Sequence, residues 1–151
     1  MKEVRNNLYI AKREDLTKTN EDDYAFIHAT KTMFKGNKNE VLIEEDNHLY
    51  LNWVDSPDMK YFDFNNKGTD VFISILDFID KWINCRKVII NCDEGISRSP
   101  TIAMVYMAKR TKEISNKDHV FAERDFSNIY ESYWAGKGIS DFVFKNWFKI
   151  N

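Results

Sequence analysis

The sequence predicts an α/β domain: a central, mainly parallel sheet flanked by helices in three α/β/α layers. Three observations carry this expectation. Short β-branched and aromatic runs alternate along the chain with segments of helical period, the order of strands feeding crossovers. One run, KVIIN at Lys87–Asn91, has a continuous apolar centre without alternation, as a strand covered on both faces must have. A helix of strict three-and-four spacing precedes that run, and a second helix with start signals follows it. With 151 residues, 43% hydrophobic and 15% aromatic, the chain has ample material for one core, and a single domain over residues 1–151 is expected.

Taken in order, NNLYIA near the N-terminus and DYAFIHAT (Asp23–Thr30) carry β-branched and aromatic residues between polar edges, and predict strands. REDLTKTNED between them suits a brief helix and turn, and Thr30–Glu40 a polar, basic loop around Gly36. HLYLNWVD alternates apolar with polar residues, predicting a half-buried strand that ends at Asp55. Ser56–Gly68 holds Pro57, two asparagines and a glycine, and predicts loop. Thr69–Ile83 is the clearest helix: Phe72, Ile75, Leu76, Ile79 and Ile83 make one apolar stripe. After the strand at Lys87–Asn91, Ser99 and Pro100 supply a capping hydroxyl and a first-turn proline for a helix through Arg110. Two further helices are expected, about Lys117–Tyr130 and about Ile139–Phe148.

Composition excludes several classes. A net charge of −2 with 30% charged residues lacks the basic excess of a non-specific nucleic-acid or membrane-surface binder, so neither partner is expected. The apolar runs are too short to span a bilayer, and the N-terminus lacks the apolar core of a signal peptide, so a cytoplasmic protein is expected. Two cysteines, Cys85 and Cys92, give no disulfide framework. His28, His48 and His119 are scattered and neither cysteine has a partner at ligand spacing, so no metal site is expected. Neither G-x-x-x-x-G-K-[ST] nor G-x-G-x-x-G occurs, which removes the common nucleotide-binding loops.

The chemistry concentrates in CDEGISRS, Cys92–Ser99, joining the buried strand to the following helix. Ligands of open α/β sheets gather at the carboxyl ends of strands. A helix N-terminus there offers unpaired amides and partial positive charge, a site for an anion. Gly95 lets the loop curl so that the amides of Asp93, Glu94, Gly95, Ile96, Ser97 and Arg98 can face inward as a phosphate-binding nest. Arg98 adds a bidentate fork suited to two phosphate oxygens. The same field favours the ionised thiolate of Cys92, the nucleophilic form of a cysteine. A nucleophile beside a cradle for a tetrahedral oxyanion points to phosphoryl transfer through a cysteine intermediate. The bland alternative, an inert core cysteine with a surface arginine, leaves Gly95, Arg98 and the helix start unexplained.

Cys92-x5-Arg98-Ser99 resembles the signature loop of the protein tyrosine phosphatases, and GISRSPT is similar to that of the dual-specificity branch. The WVD strand end, the helix ending LDFIDKWI, SRSPTIAMVYMAKR and the closing FSNIYESYWAGKGISDFVFKNW extend the resemblance over most of the chain. The small stand-alone enzymes of bacteria and their phages are the most similar subgroup. The resemblance implies a phosphatase-like fold and a cysteine-dependent phosphatase acting without metal or cofactor as a monomer on phosphoproteins or phosphopeptides. It also implies an aspartate general acid upstream, because departure of an alkoxide or phenoxide needs a proton that cysteine does not supply. Asp55 best matches the strand-then-aspartate pattern; Asp58 and Asp63 on the same loop compete. Ser99, beyond capping the helix, is implied to hydrogen-bond the Cys92 sulfur and to aid breakdown of the phosphocysteine.

One position departs from the pattern. Phosphatases of this type carry histidine before the cysteine, where this chain has Asn91. An amide can donate a hydrogen bond to a loop carbonyl but brings no positive charge. An active enzyme with a less readily ionised Cys92 is therefore expected, with a phosphoresidue-binding pseudophosphatase as the alternative. A rhodanese- or arsenate-reductase-like thiol enzyme accounts less well for Arg98-Ser99-Pro100. Asp93 and Glu94 within the loop are expected to disfavour polyanionic substrates and to favour phosphotyrosine or phosphoserine/threonine in proteins. Lys31, Lys35 and Lys38 are expected to be mostly solvated surface. His28 is expected to be a satisfied strand residue, and Trp53, Tyr61 and Phe62 core before pocket.

Overall fold

The computed structural model describes all 151 residues, Met1–Asn151. Six strands form one sheet: β1 (Lys2–Arg5), β2 (Leu8–Lys12), β3 (Tyr24–His28), β4 (Leu42–Glu45), β5 (His48–Leu51) and β6 (Lys87–Cys92), in the order β1-β2-β6-β3-β5-β4. The inner strands β2, β6, β3 and β5 run parallel, and β1 and β4 close the two edges antiparallel. Five helices follow or intervene: α1 (Lys60–Asp63), α2 (Gly68–Trp82), α3 (Arg98–Lys109), α4 (His119–Ile129) and α5 (Lys137–Asn146). No helix is long and apolar enough to cross a membrane.

The sheet flanked by helices is the predicted α/β architecture, with its two layers of cover unequal. Apolar residues of all five helices pack into one core with Leu8, Ile10, Ile27, Leu49, Val88 and Ile90, which share one face of the sheet. On the opposite face, Ala11, Phe26 and Ile89 form a small cluster under Leu16. Leu16 belongs to a 3-10 turn, Arg13–Lys18, and a second such turn at Glu21–Asp23 leads into β3. The eleven residues between β2 and β3 (13–23) must cross β6 in that space, too few for a full α-helical crossover.

The predicted helix at residues 69–83 is α2. Its stripe residues Phe72, Ile75, Leu76 and Ile79 are fully buried, each contributing on the order of 2 kcal/mol by leaving water. Two edge strands escaped the pattern, because each is short and lies in a hairpin. Asn6-Asn7 turns β1 into β2 with Asn7 at φ 66°, and Asp46-Asn47 turns β4 into β5 with Asp46 at φ 53°. Asparagine and aspartate tolerate that left-handed backbone, so both dipeptides are hairpin signals. The strand expected to reach Asp55 stops at Leu51. Beyond it the Trp53 carbonyl accepts from Lys31 N–H at 2.8 Å instead of continuing the ladder.

The topology fixes one place for a ligand. β2 and β3 flank β6 on opposite sides, and the carboxyl ends of all four parallel strands share one edge of the sheet. The chain passes from β2 out to β3 and β5 and then returns to β6 between β2 and β3, so the crevice opens where its following loop, Asp93–Ser97, leaves the sheet.

Candidate active site

Cys92 is the last residue of β6, 2% exposed, with its Sγ 3.2 Å from the Ser99 hydroxyl. After it, Gly95 adopts φ +70°, the left-handed conformation that closes the loop back over the sheet. Its carbonyl accepts from the Tyr130 hydroxyl at 2.7 Å. No amide from Glu94 to Ser97 donates to a backbone carbonyl, so these donors are unspent. α3 begins at Arg98, with Ser97 at the cap, two residues earlier than the capping expectation. Ser99 therefore lies in its first turn rather than at the cap, and its hydroxyl is directed to sulfur. Ser97 occupies the cap position without a capping bond; its hydroxyl accepts from Gly136 N–H at 2.8 Å instead.

Arg98 is buried, and its Nη1 donates to the Trp53 carbonyl at 2.8 Å. That bond fixes the guanidinium against the segment that follows β5, leaving other N–H groups of the fork for a ligand. The Asp93 carboxylate is clamped and partly neutralised: it accepts from the hydroxyls of Thr30 (3.0 Å) and Thr32 (3.2 Å) and sits 3.4 Å from Arg13 Nε and 3.5 Å from Arg98 Nη2. The repulsion of polyanions expected of Asp93 and Glu94 thus falls mainly to Glu94, which is exposed.

These elements enclose a cavity of about 370 Å³ lined by Cys92, Asp93, Glu94, Ile96, Ser97 and Arg98 on the loop side. Asp55, Trp134 and Gly136 complete its wall. Of the three candidate acids, only Asp55 faces this cavity; Asp58 accepts from Lys60 N–H at 3.0 Å, and Asp63 lines separate depressions. Gly138 explains how the segment after Asp55 is held: a Cβ there would stand 2.1 Å from the Ser56 carbonyl, so the start of α5 presses directly on it. Of the three lysines, only Lys31 borders a neighbouring depression, beside Arg98. Trp53 and Phe62 are core, meeting edge to face with centroids 5.4 Å apart.

Asn91 is fully buried, its Nδ2 donating to the Cys92 carbonyl at 3.4 Å, the loop-holding bond anticipated for an amide. His28 is buried beside it and hydrogen-bonded, as expected of a satisfied strand residue. Sequence reasoning missed Trp134, Gly136, Tyr130 and the clamp on Asp93. The aromatic and small residues of YWAGKG carried a signal only in hindsight of where α5 docks.

No protein-family model matches the chain. Human dual specificity protein phosphatase 5 is 37% identical over 76 residues, covering 47% of this chain. Over that stretch the chain is similar to a dual specificity phosphatase. The match spans only 17% of the human protein's length. Fold comparison agrees across nearly the whole domain. A leucine rich repeat and phosphatase domain containing protein from Entamoeba histolytica superposes with TM-score 0.66 at 12% identity, covering 96% of this chain and 88% of that one. A human tyrosine phosphatase-like serine/threonine/tyrosine-interacting protein gives 0.61 at 16% identity, covering 93% and 91%. The architecture is that of the dual-specificity and tyrosine phosphatases.

Proposed function

We propose that the chain is a cysteine-dependent phosphatase hydrolysing phosphomonoesters of proteins, phosphotyrosine and/or phosphoserine/threonine. The observation that carries this is the cavity itself: Cys92 Sγ at its base, the unspent amides of Glu94–Ser97 and the anchored Arg98 around it, and Asp55 on the facing wall.

The Cys92 thiolate attacks phosphorus, and the P–O bond to the leaving group breaks. The leaving oxygen takes a proton from Asp55, which cysteine does not hold in its nucleophilic form. The loop amides and Arg98 stabilise charge on the equatorial oxygens, the largest contribution such a site makes. Asp55, now a carboxylate, accepts a proton from water as that water attacks the phosphocysteine, and the S–P bond breaks to release inorganic phosphate. Ser99, 3.2 Å from the sulfur, donates to it as the thiolate reforms. Exposed Ile96 and Trp134 at the rim suit a substrate presented on a polypeptide. The need for a free, reduced thiol fits the cytoplasm.

Hydrolysis of p-nitrophenyl phosphate with EDTA present, by wild type, Cys92→Ser and Asn91→His, tests this. Turnover that survives EDTA and vanishes in Cys92→Ser supports the enzyme. Phosphopeptide binding by wild type without turnover makes it a binding module instead.

A further inference from the structure

The residue before Cys92 is the start of a chain of hydrogen bonds that runs away from the cavity, across the second face of the sheet. His28 Nδ1 lies 2.7 Å from Asn91 Oδ1, His28 Nε2 lies 2.9 Å from His48 Nδ1, and His48 Nε2 lies 2.9 Å from Glu21 Oε1. His28 and Asn91 are buried, His48 is half-buried and Glu21 is exposed. The rings stack on one another and on Phe26 and Tyr50 at nearly parallel angles, so neither imidazole can turn freely.

We infer that Glu21, His48 and His28 form a charged hydrogen-bond relay that holds the Asn91 amide against the loop behind Cys92. These are positioning residues, and their catalytic consequence rests on the phosphatase reading above.

Proton counting leads there. Asn91 Oδ1 can only accept, so His28 Nδ1 must carry a proton; the Glu21 carboxylate can only accept, so His48 Nε2 must carry one. The bond between the rings needs a third proton, on one side of it. Three protons on two imidazoles make one of them an imidazolium. Burial pushes the His28 ring down to about 4, so His28 is the neutral member and His48 holds the charge, beside Glu21. The other charged groups around the rings leave that assignment standing. Lys35 lies over the Tyr50 ring and is paired at 3.6 Å with Glu45, which is opposite His48 in the sheet register. Arg86 donates to the backbone carbonyls of Glu21 and Tyr24.

Amide orientation and protonation are coupled. With only two protons on the rings, the middle and outer bonds survive if His28 carries its proton on Nε2. Asn91 must then turn its NH2 to His28 and its oxygen to the Cys92 carbonyl, setting acceptor against acceptor. The third proton therefore keeps Asn91 Nδ2 on the loop. Without that proton the bond from Asn91 to the loop is lost.

The test reads the protons directly. Multiple-bond ¹H–¹⁵N correlation of the wild-type imidazoles at about pH 6, within the range where histidine titrates, is expected to show His28 protonated on Nδ1 alone and His48 on both nitrogens. His28 protonated on Nε2 alone, or a neutral His48, overturns the relay. His48→Gln keeps a donor for His28 without charge. Its Cys92 is expected to alkylate with iodoacetate about threefold more slowly at that pH, with the pH midpoint of alkylation moved up by about half a unit. An unmoved profile also overturns it. The relay in place with no Cys92-dependent turnover would refute the phosphatase reading alone, and turnover with a neutral His48 the relay alone.

Discussion

Gly95→Ala separates the folded scaffold from the working loop. At φ +70° an L-residue costs on the order of 1–2 kcal/mol relative to glycine, partly offset by about 0.5 kcal/mol of lost unfolded-chain entropy. The new Cβ would stand 3.3 Å from the Ala11 carbonyl, a strand atom that cannot retreat, and 3.5 Å from the Tyr130 hydroxyl. A net destabilisation of roughly 1–2 kcal/mol follows, a fall in Tm of about 2–8 °C for a domain of this size. Activity is expected to fall much further. If the loop relieves the strain by rotating, the amides of Glu94–Ser97 lose their common focus, and each misplaced oxyanion donor costs on the order of 10²-fold in kcat. Differential scanning calorimetry and p-nitrophenyl phosphate kinetics on the same preparation check both numbers. A variant that is destabilised as stated yet retains kcat within a few-fold would refute the role given to these amides.

Other perturbations read other parts of the site. Asp55→Asn is expected to depress kcat by about 10²-fold or more for substrates with poor leaving groups and much less for p-nitrophenyl phosphate; the same selectivity in Asp58→Asn or Asp63→Asn would reassign the acid. Trp134, 79% exposed at the cavity rim, is expected on truncation to alanine to raise KM for aryl phosphates by roughly 3–10-fold. Stability and alkyl phosphate kinetics should not change, and an equal effect on both substrate classes would remove its role as an aromatic contact. His28 sets a stability signature: burial holds its ring at about 4 in the folded protein against ~6.5 in the unfolded chain. Between those values the unfolded state binds the extra proton, so stability is full above about pH 6.5 and is lost as pH falls towards 4, by up to about 3 kcal/mol. Urea titrations of wild type and His28→Phe should differ by that loss, and parallel pH profiles would contradict it.

The parts of this molecule that were legible in sequence are those set by local chemistry. The stripe from Phe72 to Ile83 repeats at helical period, and Lys87–Asn91 is apolar on both faces, so α2 and β6 follow from side chains alone. Cys92, Gly95 and Arg98 are close in sequence, and the loop that unites them is short enough to be inferred whole. What was hidden depends on contacts distant along the chain. Thr30, Thr32 and Arg13 reach Asp93 only because β2 and β3 flank β6, and Trp134 and Gly136 reach the cavity only because α5 docks on the segment after Asp55. Ser99 shows the limit at finer scale: Ser-Pro is a sound helix-start signal, yet the helix begins at Arg98 and the hydroxyl serves the sulfur. The His28–His48–Glu21 series lies on two strands and a turn that no periodicity connects.

Rapid-quench mass spectrometry of Asp55→Asn mixed with an aryl phosphate bears most directly on the chemistry, because this variant slows breakdown of any intermediate. One phosphoryl group on the peptide carrying Cys92, formed with a stoichiometric burst of phenol and absent in Cys92→Ser, is the predicted result. Phenol release by wild type that continues undiminished when Cys92 is replaced by serine, with no phosphoryl group on that peptide, would contradict it.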